Sequence, residues 1–142
     1  MWERREAAAE ISLLKTPLIN NDIAVPLDQV SKFLTVMEKK LPELDPDADV
    51  LIVSHLGDGN VHYTVWPSKD DELHKDKIME AIETVVLTLG GSFSAEHGIG
   101  LSKLSSMERR KDRVSLDVMR QIKNAIDPED IMNPGKVLPK VH

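Results

Sequence analysis

The stretch His55-Leu-Gly-Asp-Gly-Asn-Val-His62 sets two imidazoles on either side of an Asp-Gly pair. Asp58-Gly59 predicts a tight two-residue hairpin turn, whose central residues both take positive φ. In that register Gly57 faces Asn60, Leu56 faces Val61 and His55 faces His62. Residues opposed on one face of an antiparallel pair have Cβ atoms about 4.5–5.5 Å apart. Two imidazoles held so can share one metal ion. A hairpin carrying two incidental histidines fits the same spacing, so the pair alone does not decide between them.

Glu96-His97-Gly98-Ile99-Gly100 is the second polar cluster. One glutamate with two histidines is a standard donor set for a divalent transition metal that keeps positions open for substrate. In an extended strand Glu96 and His97 point to opposite faces. A joint role therefore needs the backbone to turn at His97, which Gly98 and Gly100 permit. By itself the segment reads as a glycine-rich strand end with a solvated acid. Together with the hairpin histidines it favours a site. Asp58 and Asn60 are assigned to turn geometry; Thr64 and Trp66 fit a pocket lining, though a strand threonine and tryptophan need no function.

These residues must be placed by the elements around them. Residues 2–14 read as a short amphipathic helix. Asp22-Ile-Ala-Val-Pro26 reads as a short strand closed by proline. Leu27, Val30, Phe33, Leu34, Met37 and Leu41 follow helical spacing, which predicts a helix over 27–41 with one buried stripe. Residues 50–55 and 60–66 are the hairpin strands. Val50, Ile52, Ser54, Leu56, Val61, Tyr63 and Val65 share an apolar face. Leu51, Val53, His55, Asn60, His62, Thr64 and Trp66 share the other, which turns polar near the tip. A one-residue slip would exchange these faces.

A second helix opens at Pro67–Asp71, buries Ile78, Ile82, Val85, Val86 and Leu89, and ends at Gly90-Gly91. His74 lies on its polar side and reads as a surface histidine. Ser92–His97 reads as a fourth strand. The order predicts an α+β fold: a ferredoxin-like antiparallel sheet with helices on one face. Ser102–Lys111 and Ser115–Ile126 add C-terminal helices, the second stopped at Asp127-Pro128, and 130–138 is an irregular tail.

The chain has 142 residues, which suits a single domain with one core, and its formal charge is −6. That charge, with no large basic cluster, speaks against a nucleic-acid surface. No apolar run approaches a membrane span, and the N-terminus lacks the apolar core of a signal peptide, so the expected compartment is the cytoplasm. Cysteine is absent, so any metal must be held by His, Asp or Glu. The abrupt start on Trp2 and paired arginines reads as a cut inside a larger protein.

His55–His62, Glu96–Gly100 and Asn133-Pro-Gly-Lys-Val-Leu138 together resemble the C-terminal domain of FAD-linked 2-hydroxyacid dehydrogenases of the vanillyl-alcohol-oxidase type. That group includes D-lactate dehydrogenases, the glycolate oxidase flavin subunit and D-2-hydroxyglutarate dehydrogenase. The resemblance implies a cap domain, here residues 1–142, lying over the FAD of a separate N-terminal FAD-binding domain of the same parent. It implies a divalent, zinc-like ion on His55, His62 and Glu96, with His97 as general base. Asn133 would approach the flavin, and Arg5 of Trp2-Glu-Arg-Arg-Glu6 would grip the carboxylate of a 2-hydroxy acid. Several relatives have a lysine before the first strand as a second carboxylate contact. This chain has Asn20-Asn21 there, with no lysine nearer than Lys15, so Asn20 takes that place as a neutral donor.

Two other classes compete. One is a self-contained ferredoxin-like binding or regulatory module without catalysis. The other is a stand-alone metal hydrolase in which His97 activates water. Apolar surface left bare where a flavin domain belongs would also favour a homo-oligomer.

Overall fold

The computed structural model describes Ile11 and residues 15–140. Most of the helix expected over 2–14, and with it Arg5, lies outside the described residues. The chain divides after Glu96 into two compact units.

In the first unit, strand β1 (Ile19–Ala24) leads through a 3-10 turn (Leu27–Gln29) into helix α1 (Val30–Leu44). The hairpin strands β2 (Asp49–His55) and β3 (Asn60–Trp66) follow, and then helix α2 (Glu72–Thr88). The sheet is antiparallel with order β1-β3-β2. An isolated bridge between Ala24 and Ser92 lies on β1 outside this sheet. This is the ferredoxin-like order with its fourth strand reduced to one bridge.

The core lies on the helical side of the sheet. Ile19 and Ile23 of β1 and Val61, Tyr63 and Val65 of β3 meet Val30, Phe33, Met37 and Leu41 of α1 and Ile78, Ile82 and Val86 of α2. Phe33 is fully buried and stands edge-on to Tyr63, with ring centroids 5.5 Å apart. Burying such side chains stabilises by about 1.5–3 kcal/mol each. The expected stripe on α1 is present except at Leu27, which sits in the 3-10 turn and is exposed. Pro42, expected to open the connection, lies inside the last turn instead, and α1 closes only at Leu44.

The hairpin differs from expectation in its turn. His55 pairs with Asn60, and Val53 with His62, so the loop has four residues, Leu56–Gly59. Of these only Gly59 takes positive φ. The Asp58 N–H donates to the His55 carbonyl, and its carboxylate accepts from the Asn60 N–H at 3.0 Å. Gly59 is also fixed from outside the hairpin. Its carbonyl accepts from the Val25 N–H, and a Cβ on it would lie 2.1 Å from the Val25 carbonyl oxygen. The shift is two residues, an even number, so each side chain keeps its face.

The strand expected over 92–97 is also corrected. Only Ser92 makes a bridge. The Ala95 N–H then bonds to the Asp22 carbonyl, where regular pairing would have brought Ser94. The Asp22 carboxylate takes the Ala95 and Glu96 N–H groups at 3.2 and 3.1 Å. A side chain thus replaces the ladder that would have continued the strand.

His74 is not a surface residue. Its ring is mostly buried, and Nε2 lies 2.8 Å from Asp45 Oδ2, just past the end of α1. The Asp45 carboxylate also accepts from the Ser68 and Asp47 N–H groups. Burial pushes the Asp45 carboxyl up, but the bonds from His74, Ser68 and Asp47 outweigh it and bring the group to about 2.

In the second unit, α3 (Leu104–Arg110) and α4 (Arg113–Ile126) occupy the two expected helical stretches, the first shortened at both ends and the second begun two residues earlier. Asp112 caps α4 by accepting from the Ser115 N–H. The tail is irregular, as its turn residues predict. Asp127 pairs with Lys123 and accepts from the Ile131 and Met132 N–H groups. The Val137 N–H returns to the Gly100 carbonyl. No helix among the described residues is long and apolar enough to cross a membrane.

Candidate metal centre

His55 and His62 project from the sheet face opposite the helices. Although they are diagonal rather than opposed, their ring centroids are 5.3 Å apart, in an edge-to-face arrangement. Long side chains reach across such diagonals readily. Glu96 arrives from the segment beyond β1, with Oε1 3.0 Å from His62 Nε2 and 3.9 Å from His55 Nε2. Neighbouring ligand atoms in a tetrahedral zinc shell, at about 2.05 Å from the ion, are about 3.3 Å apart. The two observed separations bracket that value. Two imidazoles and one carboxylate are also borderline-to-hard donors of the kind a divalent zinc-like ion takes. The donor set fits the ion expected from the sequence.

A fourth group in this cluster escaped the sequence reading. Asp22 pairs directly with His62 across the β1–β3 ladder and is 1% exposed. Its Oδ1 lies 3.8 Å from His62 Nδ1, and ligand atoms of Asp22, His62 and Glu96 all fall within 4.8 Å of one another. The overlooked signal was an aspartate inside a strand, a position from which this residue is depleted. Starting the strand at Asp22 rather than Ile19 had made it look like a terminal residue.

Asn20 is on the same sheet face, two residues before Asp22. It pairs with Thr64, whose hydroxyl donates to Asn20 Oδ1 at 3.4 Å. Lys15 bonds to Asp49 at 2.6 Å, and its Nζ lies over the Trp66 ring, 5.3 Å from the centroid. Asn60 is buried with its backbone tied into the turn, as assigned. His97 follows Glu96 directly, is exposed, and opens the second unit. Asn133 belongs to that unit's tail, with φ +50° and its Oδ1 3.4 Å from Lys136 Nζ. Arg5 lies outside the described residues. The first unit therefore brings together His55, His62 and Glu96, with Asn20 on the same face.

Comparison with known proteins gives the family of the chain. The family described as FAD linked oxidases, C-terminal domain, matches residues 1–137. A D-2-hydroxyglutarate dehydrogenase of Stutzerimonas stutzeri (strain A1501) is 34% identical over 144 residues, covering 96% of this chain and 30% of the relative. The glycolate oxidase subunit GlcD of Bacillus subtilis (strain 168) is 31% identical, covering 96% and 29%. A mitochondrial D-lactate dehydrogenase (cytochrome) of Arabidopsis thaliana is 29% identical, covering 98% and 25%. The chain thus spans less than a third of the length of these relatives. Matched along nearly all of its own length, it belongs to the family of FAD linked oxidases, C-terminal domain.

Proposed function

We propose that this chain is the substrate- and metal-binding half of a flavin-dependent dehydrogenase that oxidises a D-2-hydroxy acid to the 2-oxo acid. FAD is held by a separate domain of the same parent. The observation that carries the reading is the Glu96 carboxylate set between the His55 and His62 rings. The names of these three relatives, D-2-hydroxyglutarate dehydrogenase, D-lactate dehydrogenase and glycolate oxidase subunit, suggest the substrate class.

In this reading His55, His62 and Glu96 would hold a divalent, zinc-like ion. Such an ion supplies Lewis acidity that lowers the pKa of a substrate hydroxyl. His97 would take the hydroxyl proton as the C–O bond becomes the carbonyl of the 2-oxo acid, and FAD, when bound by its own domain, would supply the acceptor for the α-carbon hydride. General-base help of this kind contributes about 10²–10⁴-fold. Arg5 binds the substrate carboxylate through paired hydrogen bonds. The Asn20 amide, whose oxygen already accepts from Thr64, keeps its N–H groups for the same carboxylate. Asn133 would lie on the flavin side of the site.

Chelator-competition titration of the isolated chain with zinc tests this reading. The chain is expected to take up about one ion, as one three-residue donor set allows, and to lose it in His55→Ala. It should stay colourless and inactive when mixed with FAD. Tight FAD binding by the chain alone, or zinc affinity unchanged in His55→Ala, would overturn it.

A further inference from the structure

Asp22 makes two connections to the candidate centre. Its Oδ2 holds the backbone of the glutamate that faces the histidines, through the Ala95 and Glu96 N–H groups. Its Oδ1 stands 3.8 Å from Nδ1 of His62, within ion-pair range, while Nε2 of the same ring is 3.0 Å from Glu96. The two nitrogens of an imidazole diverge, so one ion cannot be bound at both. An ion held between His62 and Glu96 occupies the Nε2 side, which leaves Asp22 outside its shell and next to the opposite nitrogen. A carboxylate in that place favours the proton on Nδ1 and the lone pair on Nε2.

We propose that Asp22 is a positioning residue for the metal centre: it fixes which nitrogen His62 presents and sets the segment carrying Glu96 beside it. The inference rests on the metal reading above. Its burial at 1% exposure, within a strand, is consistent with a carboxylate retained for its charge as well as its bonds.

The test uses the 142-residue chain loaded with ¹¹³Cd²⁺ and labelled with ¹⁵N at histidine. Coupling between the metal and Nε2 of His62, with the proton kept on Nδ1, is the expected spectrum. Coupling to Nδ1 would overturn the proposal, and this measurement needs no variant. Asp22→Asn keeps an oxygen able to accept from Ala95 and Glu96 but loses the charge. It is expected to bind Cd²⁺ about 10–100-fold more weakly, the usual effect of removing such an outer carboxylate, with an unchanged thermal midpoint without metal. Affinity equal to the unsubstituted chain would refute the role of Asp22 alone. Failure of the unsubstituted chain to take up Cd²⁺ would remove the metal reading and this inference with it.

Discussion

Asp45 is a carboxylate whose charge holds two distant segments together. Its folded-state value of about 2 lies below the ordinary 3.8, because the bonds from His74, Ser68 and Asp47 outweigh the burial penalty. A group depressed in the folded state stabilises fully above its unfolded value and loses that contribution as the pH falls through the folded one. The difference is worth about 2 kcal/mol, so urea-melt stability should decline between about pH 4 and pH 2. Asp45→Asn should lower stability at pH 7 by about that amount and flatten the acid limb. An acid limb of unchanged slope in the variant would contradict the assignment. None of this was legible at His74, whose partner is 29 residues away in the chain. Helical spacing says which side of α2 carries a residue, not what folds over it.

The hairpin shows which features of an element local sequence can determine. Face assignment depends only on alternation along β2 and β3, and it survived a two-residue change of register. The register itself did not follow from the Asp-Gly pair. Asp58 spends its carboxylate on the Asn60 N–H, and Gly59 is held by Val25, a contact from β1's side of the sheet. The strand expected at 92–97 was lost for a similar reason, since a buried carboxylate from β1 competes for its N–H groups. Gly59→Ala should destabilise by more than about 1 kcal/mol, because it adds a Cβ against backbone at positive φ. It should also weaken zinc binding by displacing the loop between the two histidines. Wild-type melting and zinc affinity in this variant would refute that coupling. On the other side of the sheet, Phe33→Ala should cost about 3–5 kcal/mol in a denaturant melt. A loss below about 1 kcal/mol would mean that α1 is not docked through this ring.

At the scale of the molecule, the motifs legible in the sequence fall in two units. The donor set lies wholly in the first, while His97 and Asn133 belong to the second. Three motifs and their order pointed to the family, and the match over residues 1–137 bears that out. The chain spans less than a third of the length of these relatives, and in the proposed reading the activity draws on an FAD-binding domain outside it. Flavin reduction by a D-2-hydroxy acid is therefore expected only when the FAD-binding domain is supplied, and Glu96→Gln should reduce it at least 100-fold, within the range removed with a major catalytic interaction. Activity of that variant within a factor of about two of the unsubstituted protein would count against a metal in the reaction.

Zinc-edge X-ray absorption on the chain carrying one equivalent of metal examines the donor set itself. The account predicts nitrogen and oxygen neighbours at about 2.0–2.2 Å with the outer-shell scattering of two imidazoles, one of which disappears in His62→Ala. A spectrum without imidazole scattering, or one that His62→Ala leaves unaltered, would contradict it.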